Sequence, residues 1–180
     1  SASRILELDG KEFVIGALVQ SNFGSTENFM LNGRMLGREL DARIREKQKD
    51  EGSIMMVIGT DLPVSDRQLY RILRRAGVGL SRCGSFMGHG SGDIMLGFST
   101  ANRFYYKEER AFVPTVILRE EALDPVFEAA AEAIEEAILN SLAMARTVTG
   151  YHGNTRYSFT DLYLEEWERK RKDADGKGEN

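Results

Sequence analysis

The charged run REKQKDE at 45–51 stops at Gly52-Ser53, and the residues that follow, IMMVIGT at 54–60, carry no charge. A run of this kind reads as a strand buried inside a sheet. Strands covered on both faces show continuous apolar sequence, whereas half-exposed strands alternate. Ser53 stands at the head of this strand. It is either an ordinary first residue of a strand or a nucleophile held rigidly at the edge of a sheet.

The neighbours are readable on both sides. RILEL at 4–8 and EFVIGALVQ at 12–20 are strand-like and flank Asp9-Gly10, a favoured hairpin pair. A polar loop SNFGSTEN follows, then a second hairpin signal at Asn32-Gly33, and Leu36, Leu40 and Ile44 recur as on one helix face. The run at 45–51 reads as an exposed linker. After the strand 54–60, a turn at Asp61-Leu62-Pro63 leads to a helix from Ser65, with Ser65 and Gln68 spaced as a capping box. Leu69, Ile72 and Leu73 give its apolar face, and Gly77 and Gly79 are expected to end it. A glycine-rich loop at 84–92 opens into DIMLGFST, another buried strand, and FVPTVIL at 112–118 is extended but limited in pairing by Pro114. A long helix spans 124–146, with Asp124 as its cap, Pro125 in its first turn and Phe127, Ala130, Ile134, Ile138 and Leu142 on one face. A charged helix at about 160–171 precedes a disordered tail at 173–180. Hairpins mixed with helices argue for α+β or layered α/β rather than an all-parallel fold.

Several function classes drop out early. At 180 residues and 42% hydrophobic content the chain is one domain with a real core. A net charge of −4 leaves no electrostatic footprint for nucleic acid or anionic lipid. One cysteine, Cys83, excludes a disulfide framework and a Cys-built zinc site, and two histidines, His89 and His152, make a His-rich metal site improbable. No apolar stretch is long enough to span a membrane as a helix. The opening SASRILELDG reads as the interior of a longer protein, and a cytoplasmic setting is expected, with a periplasmic one as the alternative.

Four groups could carry chemistry. If the Gly52–Ser53 bond is cut, Ser53 gains an α-amino group with a reference pKa of about 7.7–8.0, able to take the proton of its own hydroxyl. Gly52 leaves the scissile carbonyl unhindered. In SFMGHGSGDIML, Gly88, Gly90 and Gly92 let the backbone approach something closely, while Ser91 and Asp93 lie two apart and share a face if extended. The loop lacks the Lys-Ser/Thr ending of a phosphate-binding loop, which rejects a nucleotide site. Asn22, just past a strand end in VQSNFG, can offer its side-chain N–H groups to an oxyanion, although an asparagine in a turn also serves the backbone. Asp61, ending GTD, reads as a cap for the following turn.

Together GALVQSNFG, GSIMMVIGTDLPVSDRQLYRILRRAGVGLSR and GHGSGDIMLGFSTAN, followed by AILNSL and TVTG, resemble successive blocks of the self-processing serine aminopeptidases, the L-aminopeptidase/D-amidase-esterases and β-peptidyl aminopeptidases. The resemblance runs from about residue 1 to about 157. It implies an α-β-β-α sandwich, similar in architecture to amino-terminal nucleophile hydrolases but with a different chain path. It also implies cleavage at Gly52–Ser53, dividing one domain into the end of an α chain, 1–52, and a β chain from Ser53 whose ordered part is 53–172. Ser53 would be the nucleophile, Asn22 the oxyanion donor, and Ser91 and Asp93 would orient Ser53 and its amine. Asp93 is favoured to hold the positive amino end of a peptide or amide substrate. Family members carry a long upstream segment, including a tyrosine near the active site, that this sequence does not contain. The resemblance implies no metal or organic cofactor, and a homo-oligomer, expected as a tetramer. The alternatives are an acetyltransferase related to the ornithine acetyltransferases, which use threonine where Ser53 stands, and a non-catalytic remnant of the fold.

Overall fold

The computed structural model describes residues 1–39, 52–107, 109–165 and 168. Four strands, β1 (Ala2–Leu8), β2 (Lys11–Asn22), β3 (Ser53–Thr60) and β4 (Ile94–Ser99), form one sheet in the order β1-β2-β3-β4. The first three are antiparallel, and β4 runs parallel to β3. A parallel neighbour needs a crossover, and the crossover here is α1 (Asp66–Leu73) followed by α2 (Ala76–Arg82). The turn between β1 and β2 is the expected hairpin, with Asp9 and Gly10 both at positive φ. Asn32-Gly33 makes a second one, closed by a bridge between Leu31 and Arg34.

Helix α3 (Asp124–Met144) crosses the sheet and packs on β1, β2 and α2. The core lies between this helix layer and one face of the sheet: Ile15, Ile54, Met56 and Ile58 meet Ile72, Leu80, Ile134 and Ile138. Arg4 of β1 reaches up to Glu132 and Glu136 of α3, at 2.8 and 2.5 Å, on the rim of that core. The Ser65 capping box forms as expected. Its hydroxyl accepts from Gln68 N, and Gln68 Oε1 accepts from Ser65 N. Gln68 also donates to the carboxylate of Glu120, which Arg67 and Arg71 flank, and these partners hold Glu120 below the ordinary carboxylate range.

Several expectations are corrected. Gly77 and Gly79 do not end a helix; they lie inside α2, which follows a break at residues 74–75. A Cβ on Gly79 would sit 2.4 Å from the Ala131 carbonyl oxygen, so the glycine lets α2 approach α3 closely. Asp124 is the first helical residue rather than the cap; Leu123 occupies the cap position with no side-chain bond, because a 3₁₀ turn at Glu120–Ala122 feeds directly into α3. Leu36–Glu39 is a 3₁₀ turn, and Leu40, Ile44 and the run at 45–51 lie outside the described residues. Residues 112–118 join no strand; Asn102 holds Val116 through both its side-chain amide groups, and Leu118 N donates to Pro63 O. After α3 come a short hairpin, β5 (Val148–Thr149) with β6 (Thr155–Arg156), and a helical turn at 159–165. The rest of the expected last helix, apart from residue 168, and the tail lie outside the described residues.

Among the described residues, the strands at 54–60 and 94–99 are covered on one face only. Ile5, Val14, Leu18, Met55, Leu96 and Phe98 leave the opposite face of the sheet open and apolar, with Leu18 59% and Phe98 53% exposed. The described residues thus hold one helix layer and one sheet of the expected four-layer sandwich. No helix among them is long and apolar enough to cross a membrane.

Candidate active site at the head of β3

The register between β2 and β3 ends on the pair Asn22–Ser53. Side chains alternate across the sheet, so while Ile54 enters the core, Ser53 and Asn22 both project on the open face, where both are exposed. Directly opposed residues of an antiparallel pair place their Cβ atoms about 4.5–5.5 Å apart, which makes the two side chains neighbours. Ser53 enters its strand from Gly52, and there the fit is tight. A Cβ at position 52 would lie 1.9 Å from the Asn22 carbonyl oxygen and 2.7 Å from Phe23 Cα. Any larger residue would force the backbone at the strand head apart.

The other side of Ser53 is closed by the loop before β4. Gly92 N donates to Ser53 Oγ at 3.2 Å. The residues flanking it are tied to each other, since Ser91 Oγ donates to Asp93 Oδ1 at 2.6 Å and Ser91 N donates to Gly88 O at 2.9 Å. With its proton committed to Asp93, the Ser91 oxygen keeps lone pairs free to accept from an ammonium. The structure therefore brings together Asn22, Gly52, Ser53, Ser91 and Asp93 from three separate segments of the sequence. Gly92 is the addition. The sequence shows glycines that permit close approach, but not that the group approached is the Ser53 hydroxyl.

Asp61 belongs elsewhere. It accepts from Val14 N at 2.7 Å and so ties the far end of β3 to β2. Seven residues at about 3.3 Å each put that end roughly 23 Å from Ser53. It is also not a cap of the next turn, since Thr60 Oγ1 accepts from Leu62 N instead. His89 is an exposed loop residue and His152 sits against Tyr151 in the turn of the last hairpin. Among the described residues the hydrogen bond to Ser53 Oγ comes from Gly92, not from a histidine.

Two clefts flank the sheet. One of about 290 Å³ opens beside Asn22, between Phe23, Phe29, Cys83, Leu142 and Tyr157. A larger one of about 500 Å³, lined by Leu8, Phe13, Pro63 and Leu118, lies at the Asp61 end. The first lies at the strand end that carries Asn22, but Ser53, Ser91 and Asp93 do not line it.

Comparison with known proteins gives a family and solved relatives. The pattern of Peptidase family S58 matches residues 1–156. Beta-peptidyl aminopeptidase BapA of Sphingosinicella microcystinivorans is 36% identical over 169 residues, 86% of this chain and 43% of that protein. Among solved structures, the PH0078 protein of Pyrococcus horikoshii OT3 is 41% identical with a TM-score of 0.81, over 93% of this chain and 46% of the other. L-aminopeptidase D-Ala-esterase/amidase from Ochrobactrum anthropi, a prototype for the serine aminopeptidases with a variant of the Ntn-hydrolase fold, is 31% identical with a TM-score of 0.78, over 93% and 47%. The chain spans about half the length of these relatives, and the shared fold is the expected α+β one.

Proposed function

The chain belongs to Peptidase family S58, and from that premise we propose that it is a self-processing serine aminopeptidase. It cuts itself between Gly52 and Ser53 and then releases amino-terminal residues from short peptides, amides or esters through an acyl-enzyme on Ser53. The observation that carries this reading is the placement of the Ser53 hydroxyl at a rigid strand head, between Asn22 on one side and the Ser91–Asp93 loop on the other. In processing, Ser53 Oγ attacks the Gly52 carbonyl carbon and the Gly52–Ser53 amide bond breaks. This leaves an ester on Oγ and a free Ser53 amine, and water then hydrolyses the ester to a Gly52 carboxylate. The cut divides the chain into 1–52 and a segment starting at Ser53, both still parts of one sheet.

In turnover, the freed amine takes the proton from Oγ as Oγ attacks the substrate carbonyl. Asn22 donates to the oxygen that becomes negative, and donors aimed at developing charge are worth more there than in water. The ammonium returns the proton to the departing amine, and water enters by the same route to release the acid. Asp93 pairs with the substrate's own ammonium, while Ser91, oriented by Asp93, accepts from the Ser53 amine. The open apolar face of the sheet supports a second layer supplied by a segment outside this sequence, as the greater length of the relatives suggests. Assembly into a homo-oligomer, a tetramer, is part of the same proposal.

The test is the intact mass of the full protein under denaturing conditions. Two species dividing at Gly52–Ser53, with serine as a new amino terminus that an acylating reagent labels, support the reading. A single uncut species that takes no label on Ser53 overturns it and favours a non-catalytic member of the fold.

A further inference from the structure

We propose that Gly92 is a positioning residue for the Ser53 hydroxyl, acting through its main-chain N–H and through the side chain it lacks; the proposal rests on Ser53 being the nucleophile. A serine hydroxyl on an exposed strand head is free to occupy three staggered wells. Here the Gly92 N–H, 3.2 Å from Oγ, selects one of them. Accepting that bond uses one lone pair of Oγ and leaves the O–H proton available for donation to a base. The same donor favours the oxygen as it sheds its proton, since a hydrogen bond to a charged acceptor is roughly twice as strong as one to a neutral acceptor.

The direction of this N–H is itself fixed. The turn between Gly88 and Ser91 precedes it, and the Ser91–Asp93 hydrogen bond straddles it. The missing side chain matters separately. Gly92 is not among the glycines at positive φ, so its backbone conformation is open to any residue. What a side chain would crowd is the nucleophile. Among the described residues, a Cβ at position 92 would meet only Ser53, with Oγ at 3.1 Å and Cβ at 3.9 Å. Glycine at 92 thus leaves room for the hydroxyl rather than serving the loop.

Gly92→Ala in the full protein separates these roles from a structural one. The variant keeps the N–H but crowds Oγ, and a misplacement of up to about 1 Å at a reacting atom can cost on the order of 10²-fold in rate. The expected result is an acylation rate of Ser53 lowered roughly 10- to 100-fold, with KM and melting temperature unchanged. As a readout independent of turnover, the Gly92 amide proton should move upfield in Ser53→Ala, because its acceptor is gone. A folded Gly92→Ala protein with the wild-type rate overturns the proposal, as does a lowered melting temperature, since the added methyl would then meet more than Ser53. An amide proton unmoved in Ser53→Ala overturns it too. A wild-type protein that neither splits nor labels at Ser53 overturns the parent reading, and this one with it.

Discussion

Asn22 and Ser53 are the last register partners of β2 and β3, facing the same side of the sheet. The antiparallel ladder that buries Ile54 and Ala17 also sets the distance between these two polar side chains. Core packing and the site are therefore specified by one register, and a slip of a single residue would separate both.

From this pairing, Asn22→Ala should lower kcat by about 10²–10³-fold, the usual cost of losing one oxyanion donor. Asn22 is exposed, so its melting temperature should stay at the wild-type value. Steady-state kinetics on an aminoacyl amide alongside a thermal melt would check both. A variant with unchanged kcat would remove Asn22 from the site.

Gly52→Ala should give an uncut chain. The added methyl would lie 1.9 Å from the Asn22 carbonyl oxygen, and backbone atoms of Asn22 and Phe23 cannot rotate aside. The segment entering Ser53 would lift from β2 and carry the scissile carbonyl away from Oγ. Intact mass after prolonged incubation should show cleavage slowed at least about 10²-fold, the scale of an ångström-sized displacement. Cleavage at the wild-type rate would mean that the tight entry at the strand head plays no part in processing.

How far the sequence carried can be judged at particular residues. The hairpin at Asp9-Gly10 and the capping box at Ser65 were readable because turn and cap chemistry is local. Gly77 and Gly79 resemble a helix end for the opposite reason. A glycine shows that a side chain is missing, and only the fold shows that α3 occupies the space. The apolar runs at 54–60 and 94–99 show that both faces of the sheet are apolar, and composition does not say what covers each face. At the site, local pattern makes Ser53, Asn22, Ser91 and Asp93 candidates, and the resemblance is what suggests a role for each. The Gly92–Ser53 contact joins positions 39 residues apart, a closeness that no spacing rule encodes.

Gly79→Ala tests the helix contact. Alanine in an exposed helix would gain about 1 kcal/mol over glycine. Here its methyl would approach the Ala131 carbonyl oxygen to 2.4 Å and Ile134 Cβ to 3.0 Å. Forcing extra volume into a packed contact typically costs about 1–3 kcal/mol, and a backbone oxygen cannot rotate aside, so the cost should win. Urea unfolding should show a lowered midpoint with an unchanged slope. A raised midpoint would mean that α2 and α3 can separate without loss.

Cys83 gives the alkaline prediction. It is 3% exposed, and burial, reinforced by the nearby Glu135 carboxylate, pushes its thiol up to about 12 from an ordinary 9.0. The folded protein therefore holds this proton more tightly than the unfolded chain does. The contribution is complete below pH 9 and declines between 9 and about 12, because over that range the unfolded chain releases the proton while the folded one keeps it. The slope for one group is about 1.4 kcal/mol per pH unit. Other groups titrate in the same range, so the comparison is with Cys83→Ala, which lacks the thiol. Urea unfolding of both proteins at pH 8 and pH 10 should show the wild type losing roughly 1.4 kcal/mol more than the variant. Iodoacetamide should correspondingly react with Cys83 slowly in the native protein at pH 8 and rapidly once it is unfolded. Equal alkaline losses in the two proteins would place the thiol within reach of water and refute its burial beneath the cleft at Asn22.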